Sequence, residues 1–183
     1  MISYADSFVE YLQGLVEHDR GGMAALRRSL GFAPGCYPPA YPIIERFAAQ
    51  GSDKESLRKA LYLTAGLFAL HPSHAEGRSL ASTFGQAMRQ RESPSIEKRF
   101  IATLSAEAEA LPDHLRQVIS LLAADGIACD YGELLGDLSQ WLNPRAFEAR
   151  DRIRQRWARE FYRTAMASDP PVHESVDTNN VHS

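Results

Sequence analysis

Cysteine is scarce in this chain, and only Cys36 and Cys129 occur among its 183 residues. The two do not form a spaced motif of the kind that binds zinc or exchanges disulfides, so we interpret them as free thiols in a reducing compartment. No apolar run approaches the roughly 18–20 residues that a membrane-spanning helix needs. The N-terminus lacks a basic stretch followed by an apolar one, so no signal peptide is expected. These absences favour a cytoplasmic protein without a membrane partner.

The balance of charge is close to neutral, with a formal net charge of −3. The signs are nevertheless segregated along the chain. Residues 107–137 hold seven acids and one base, Arg116, whereas residues 144–163 hold seven arginines against three acids. Local patches rather than net charge decide whether a protein attracts a polyanion. The overall composition therefore does not exclude nucleic acid as a ligand.

Strand-like alternation never persists beyond a few residues, and nearly every segment has helical periodicity instead. Helix starts are predicted at Asp19, at Ser52 or Asp53, at Ser79, at Ser93-Pro94 and at Asp130, where capping residues precede apolar repeats. The helix that follows residue 53 is apolar nearly all round, which is typical of a central, buried helix. We predict an all-α fold of about nine helices packed as two small bundles, with lobes at residues 1–92 and 93–167. Residues 168–183 are polar and aperiodic, and we expect disorder there.

The arginine-rich segment after Asn143-Pro144 is predicted to form one helix with two different faces. Its apolar face carries Ile153, Trp157 and Phe161 at helical spacing, and we expect Trp157 and Trp141 to lie in the core. A narrow arc on the other side carries five guanidiniums, at Arg145, Arg152, Arg156, Arg159 and Arg163. Guanidinium is always charged and forks onto phosphate, so this row of cations indicates a polyanion as ligand.

A different interpretation of these arginines stays open. They could face the acidic helices of residues 107–137, within the chain or across a subunit interface, in which case the protein would be a helical adaptor between protein partners. Arg150 and Arg154 fall inside the apolar arc, where an unpaired charge is costly. We expect those two to pair with carboxylates such as Asp137 or Asp130.

Smaller basic groups occur elsewhere in the chain. Together they could form a discontinuous track that follows a phosphate backbone without reading bases. Exposed aromatic residues for base stacking are not evident. The groups are Arg20, Arg27 and Arg28 on the second helix, Lys98 and Arg99 after Pro94, and Arg89 and Arg91 beside the lobe boundary.

Catalysis has little support in the sequence, and we predict no catalytic residue, no metal and no cofactor. His71 and His74 lie in a proline-containing loop without a third ligand. His18-Asp19 resembles the metal-binding pair of all-α phosphohydrolases, but only Asp113-His114 could complete such a site. A glycine-rich phosphate loop is absent, and neither cysteine lies in a nucleophile motif.

Four blocks follow one another along residues 15–163. They are DRG and AALRR at residues 19–28, ALHP at 69–72, EKRF at 97–100 with HLR at 114–116, and DY at 130–131, DL at 137–138 and Trp141 with RWAREFY at 156–162. Together they resemble the CasB family, the small subunit of the type I-E CRISPR surveillance complex Cascade. The family often has Asp at the position of Glu160, so the charge there is kept.

This resemblance implies a non-enzymatic, all-α subunit with basic surfaces. It implies other Cascade subunits and a second copy of the chain as partners, together with single-stranded or R-loop DNA and, as a further candidate, crRNA. Backbone contacts that accept any sequence would help to hold an R-loop in antiviral defence. The predicted nucleic-acid-binding residues are Arg20, Arg27, Arg28, Lys98, Arg99, Arg116, Arg145, Arg152, Arg156, Arg159 and Arg163.

Overall fold

Nine α-helices and one short 3-10 helix account for most of residues 3–50 and 54–168, which are the residues that this computed structural model describes. Over these residues no strand forms, and the only β-type pairing is an isolated bridge between His74 and Cys129. The predicted all-α class is therefore confirmed. The helices are α1 (Tyr4–His18), α2 (Arg20–Ser29), the 3-10 helix (Pro38–Ala40), α3 (Tyr41–Ala48), α4 (Glu55–Leu70), α5 (Leu80–Arg91), α6 (Pro94–Ser105), α7 (Leu111–Asp125), α8 (Tyr131–Trp141) and α9 (Phe147–Ala165).

Side-chain caps fix several of the predicted helix starts. Asp19 accepts a hydrogen bond from the Gly22 N–H at 2.7 Å, and Ser79 accepts one from the Ser82 N–H at 3.2 Å. Asp130 accepts from the Glu133 N–H at 3.0 Å. Each bond satisfies a backbone donor that the first helical turn leaves unpaired. The caps predicted at Ser52 or Asp53, and the disorder predicted for residues 169–183, lie outside the described residues.

Helix α4 lies at the centre of the fold. Every residue from Ala60 to Ala69 is buried, as expected for a helix that is apolar on all sides. Helices α2, α7 and α8 pack against it. The positions of the other helices are thus set by how each covers part of α4 or of its neighbours.

Helix α5 packs along α9, and this pair carries the arginine-rich segment. Gly85 allows the close approach, because a Cβ atom there would overlap the Phe161 carbonyl oxygen and lie 3.2 Å from the Ala165 nitrogen. The ring of Phe161 stacks on Phe100 with centroids 3.9 Å apart. Buried hydrophobic residues from α1 to α9 form one cluster across residue 92. The division into lobes at residues 92 and 93 stays a prediction.

Candidate nucleic-acid interface

The arginine-rich helix begins later than the sequence indicates. Asn143 accepts a hydrogen bond on its side-chain oxygen from the Arg145 N–H at 3.0 Å, and its carbonyl oxygen accepts one from the Ala146 N–H at 3.1 Å. These bonds close a turn, and Ala146 has the non-helical angles φ −100° and ψ 50°. Helix α9 therefore starts at Phe147, and the prediction that Arg145 lies within the helix was wrong. Arg145 is an exposed turn residue.

The apolar face of α9 is buried as predicted. Ile153, Trp157 and Phe161 are 7%, 2% and 0% exposed. The ring of Trp157 lies 5.2 Å from that of Trp141, centroid to centroid, and its indole N–H donates to an Asp137 carboxylate oxygen at 2.7 Å. These contacts fix the rotation of α9 about its own axis, and so they fix which arginines reach solvent.

Arg156 does not belong to the free row of guanidiniums. It forms an ion pair with Asp137 of α8, and further carboxylates of Glu133 and Glu160 lie 3.8 and 3.7 Å from its nitrogens. Burial raises the pKa of Asp137, and the hydrogen bonds from Trp157 and Arg156 oppose that rise. Because Asp137 is buried and already bonded to both residues, Arg156 is part of the packing between α8 and α9. For Arg156, the alternative interpretation is therefore correct: this arginine pairs with the acidic segment of residues 107–137 of its own chain.

Neither Arg150 nor Arg154 pairs with Asp137 or Asp130, so the named partners were wrong. A carboxylate partner is confirmed for Arg154, through Asp151, whereas Arg150 has none within 4.0 Å in the described residues. The Arg150 guanidinium lies 5.3 Å from the Phe147 ring centroid, and that of Arg154 lies 5.3 Å from the Trp141 ring centroid. Arg154 also has a carboxylate oxygen of Asp151 at 3.6 Å. Asp137 is taken by Arg156 and Trp157, while Asp130 accepts from the backbone N–H groups of Gly77 and Glu133. An aromatic face therefore lies beside each of these two cations, and Arg154 has Asp151 as its carboxylate partner in addition.

Three arginines of α9 remain on its solvent face. Arg152, Arg159 and Arg163 are exposed, and Arg152 lies 3.7 Å from the exposed carboxylate of Glu148. An exposed pair one helical turn apart contributes little to stability and is screened by salt. Arg152, Arg156 and Arg159 line one shallow groove between α8 and α9, with Asp137 and Gln140 on the α8 side.

A second groove runs between α6 and α7 and brings two predicted residues together. Arg99 and Arg116 both line it, and both are exposed. Arg91 lines the same groove but is held by Asp125 through two of its nitrogens, the shortest contact being 2.6 Å. Arg99 and Arg116 thus supply the freely presented positive charge of this groove.

The remaining predicted cations are exposed as well, on α2 and α6. Arg20 is the first residue of α2, where the positive end of the helix dipole disfavours a cation. The positive charge of Arg20 therefore does not stabilise α2. Arg27 and Arg28, in the last turn of α2, suit the negative end of the dipole, and Lys98 lies on the outer face of α6.

The expectation that no aromatic residue is exposed for stacking was wrong. Phe32 is 52% exposed and Phe147 is 66% exposed. Phe32 stacks on Tyr37 with ring centroids 4.7 Å apart. Both exposed phenylalanines lie in or beside connections between helices, where the helical period gives no information on exposure; the only sequence signal is an aromatic residue directly after Gly31 in a proline-rich connection.

The histidines considered for metal chemistry have local partners. His71 is buried, with its Nε2 atom 2.8 Å from the Ile127 carbonyl oxygen, and the Nδ1 atom of His74 accepts from the Tyr131 N–H at 3.2 Å. Asp19 serves as the cap of α2. In residues 3–50 and 54–168 no three His, Cys, Asp or Glu side chains group in a way that could hold a metal ion. Over the same ranges, no helix has the length and apolar character required to cross a membrane.

Known proteins of one family are similar to this chain in sequence and in fold. The profile of the family described as CRISPR-associated protein Cse2 matches residues 22–162. A CRISPR-associated protein Cse2 from Thermus thermophilus is 38% identical over 179 residues, which cover 96% of this chain and 99% of the relative. The chain belongs to the CRISPR-associated Cse2 family. The resemblance to CasB in the sequence is thereby confirmed, since solved members of this family carry that name.

Solved structures extend the likeness to the fold. CasB from Thermus thermophilus superposes with a TM-score of 0.74 at 37% identity, covering 86% of this chain and 97% of that one. CasB from M. ruber gives a TM-score of 0.73 at 33% identity, covering 90% and 95%. A chain of a CRISPR RNA-guided surveillance complex shares the fold, with a TM-score of 0.72 at 22% identity over 88% of this chain and 93% of that one.

Proposed function

We propose that this chain is the small, non-catalytic subunit of a type I-E CRISPR Cascade complex in the cytoplasm. In this role it holds DNA through exposed cations without reading its sequence, and so stabilises the crRNA-guided R-loop in antiviral defence. Its partners are other Cascade subunits, a second copy of the chain, single-stranded or R-loop DNA and, as a further candidate, crRNA. Family membership supports the assembly, and the cationic surface supports the contact with nucleic acid.

One observation carries the proposal. Ten of the eleven predicted binding cations are exposed, and Arg156 is the exception. Within the described residues, Arg152 alone among those ten has a carboxylate within 4.0 Å. A cation that binds a partner within its own chain stabilises the fold, whereas one that keeps its solvation is available to phosphate.

The distribution of these cations fits a nucleic acid that is bound independently of its base sequence. They lie on α2, α6, α7, the turn before α9, and α9 itself, so that several short contacts would be made along a backbone. Exchange of a DNA strand for an RNA strand is nearly balanced in free energy, and protein contacts to the backbone can tip it. A surface that must accept any spacer cannot depend on base edges.

The test uses a crRNA-loaded complex prepared with and without this chain, titrated with matched double-stranded target at several salt concentrations. The chain is expected to tighten target binding, most clearly at low salt. Arg152→Ala with Arg159→Ala should weaken retention and flatten the salt dependence, by about 0.7–0.9 in the log–log slope for each phosphate that the protein no longer neutralises. The control for Arg159→Ala alone is Arg46→Ala. Arg46 is an exposed arginine on α3 that does not belong to the predicted binding set.

Three results would count against this function. The first is that the paired substitution lowers the amount of assembled complex but leaves DNA retention per assembled complex unchanged. In that case the arginines bind protein and the chain is an adaptor. If target binding is the same with and without the chain at every salt concentration, the R-loop role fails. Equal effects of Arg159→Ala and Arg46→Ala would mean that general charge, not this surface, is responsible.

A further inference from the structure

A cleft of about 510 Å³ opens where the connection after α2 meets the connection between α6 and α7. We call it the Phe32 cleft. Its volume falls within the range of sites that enclose a small ligand or part of one. The lining residues that matter here are Phe32, Cys36, Lys59, Glu109, Asp113 and Arg116.

An exposed aromatic ring forms one wall of the cleft. Phe32 stacks on Tyr37 with an interplanar angle of 28°, and it is nevertheless 52% exposed. One face of the ring is therefore covered by tyrosine while much of the rest contacts solvent. A phenyl ring in this position adds little to the core, and its open side has the shape and chemistry that stack against a nucleobase.

The connection that carries Phe32 is held in one conformation. The Phe32 N–H donates to the Ser29 carbonyl oxygen at 3.0 Å, and the Cys36 N–H donates to that of Ala33 at 2.9 Å. Gly35 has φ 84°, and a Cβ atom there would lie 2.6 Å from an Arg58 nitrogen. Four prolines occur in residues 34–42. A rigid wall loses little conformational entropy when a ligand stacks on it.

The cleft lining carries two cations and two carboxylates, and each kind suits a different part of a nucleotide. Lys59 and Arg116 are exposed cations on its lining. Arg116 and Asp113 also line the groove between α6 and α7 that contains Arg99, so the cleft adjoins that groove. Glu109 and Asp113 lie in the same lining, where carboxylates repel phosphate but accept hydrogen bonds from the amino groups of bases.

We propose that the Phe32 cleft binds one unstacked base of single-stranded DNA, with the base against Phe32 and the adjoining phosphates beside Lys59 and Arg116. This inference rests on the proposed function and adds a stacking site to a surface otherwise defined by charge. The stacking site accepts any base, as the arginine contacts do, because every base has an aromatic face. The stacking of the base on Phe32 differs from the cation–phosphate contacts in its response to salt, since stacking releases no counterions.

Cys36 supplies a built-in reporter for this site. Its thiol is exposed on the cleft lining, whereas Cys129 is buried. The alkylation rate of Cys36 is followed by the mass of this chain, first in the crRNA-loaded complex and then after matched target is added. We expect target DNA to slow alkylation about tenfold. A target whose displaced strand carries abasic sites, with the same number of phosphates, should protect much less.

A pair of substitutions tests the stack itself. Phe32→Leu keeps an apolar side chain and removes the ring, and it should weaken target retention about fivefold or more while leaving the salt slope unchanged. Phe147→Leu is the matched control, because that ring is exposed outside the cleft lining. Thermal unfolding of both variants shows whether each one folds.

The outcomes separate this inference from the proposed function. If Phe32→Leu retains DNA normally while Arg152→Ala with Arg159→Ala does not, the cleft inference fails and the proposed function stands. If alkylation is already blocked in the complex before target is added, a protein segment or the crRNA fills the cleft and the inference fails. Equal protection by normal and abasic targets would also overturn it, since phosphate alone would then explain the contact.

Discussion

At the scale of single residues, Trp157 joins α9 to α8 through one buried ring and one hydrogen bond. It is 2% exposed and donates to Asp137. Trp157→Ala should lower the free energy of unfolding by about 3–5 kcal/mol, because the neighbouring helices cannot fill the space of an indole. Trp157→Phe keeps most of the apolar volume and should cost about 1–2 kcal/mol, mainly because the N–H donor is removed. Urea unfolding measures both, and an unchanged midpoint for Trp157→Ala would show that this ring contributes nothing to the core.

Glu45 gives the fold a dependence on pH. It accepts hydrogen bonds from the Arg58 Nε–H at 2.8 Å and the Tyr62 hydroxyl at 2.7 Å. Partial burial raises the pKa of Glu45, but the bonds from Tyr62 and Arg58 outweigh burial, and the net pKa lies below its usual value of 4.5. An acid with a lowered pKa in the folded state stabilises the fold above its unfolded pKa, and it loses that contribution as pH falls.

Glu45→Gln should therefore reduce the melting temperature at pH 7, and its difference from the wild type should narrow as pH falls below about 4.5. Differential scanning calorimetry at pH 7 and near pH 4 checks this expectation. Glu10→Gln removes an exposed carboxylate of α1 and serves as the control, with little effect at either pH. A difference for Glu45→Gln that widens on acidification would contradict the assigned direction of the pKa.

At the scale of helices, Gly85 sets the distance between α5 and α9. A Cβ atom at Gly85 would meet backbone atoms of Phe161 and Ala165, which cannot rotate away as a side chain can. Gly85→Ala should therefore cost about 1–3 kcal/mol of unfolding free energy, despite the better helix propensity of alanine. Gly136→Ala in α8 is the matched control, because nothing lies within 4 Å of its added Cβ atom. That variant should gain up to about 1 kcal/mol, and equal effects of the two would show that α5 and α9 do not touch as closely as described.

The start of a helix could be predicted from sequence where it depends on nearby capping residues. Which side of a helix faces solvent could be predicted only in part. The caps at Asp19, Ser79 and Asp130 depend on side chains within three residues, so the sequence contains their full cause. The start of α9 was predicted too early, because the turn of residues 143–146 competes with the helix for the same backbone groups. Helical periodicity placed Arg156 on the outer arc, but the carboxylate of Asp137, 19 residues earlier, draws its guanidinium toward α8. A contact of that kind depends on how two helices pack, which periodicity does not specify.

At the scale of the whole molecule, positive charge is dispersed and not in excess. The net charge of the chain is −3, so attraction to DNA cannot come from a general positive field. The candidate surface consists of separate groups on α2, α6, α7 and α9, with acids between them. Sequence alone identifies most members of these groups, because arginine and lysine are rarely buried, but it also included Arg156, which pairs with Asp137. The sequence could not show that Arg99 and Arg116 line the same groove. The two residues are 17 positions apart, and only the packing of α6 on α7 brings them together.

If these groups act as one track, their contributions to the salt dependence of DNA retention should add. Arg99→Ala with Arg116→Ala removes two cations from the groove between α6 and α7, and Arg152→Ala with Arg159→Ala removes two from α9. Each pair should reduce the log–log salt slope by about 1.4, and all four changes by about 2.8, at about 0.7 per phosphate of a single strand.

The slopes are measured as target retention by the assembled complex at several salt concentrations, and Arg46→Ala should leave the slope unchanged. A single pair that accounts for the whole reduction would show that DNA contacts one patch of this subunit and that the other faces protein. Additive reductions would mean that the strand crosses both grooves, because counterion release counts each neutralised phosphate separately. The additive result is the one expected here, since within the described residues neither Arg99 nor Arg116 has a carboxylate within 4.0 Å, and the carboxylate beside Arg152 is an exposed one.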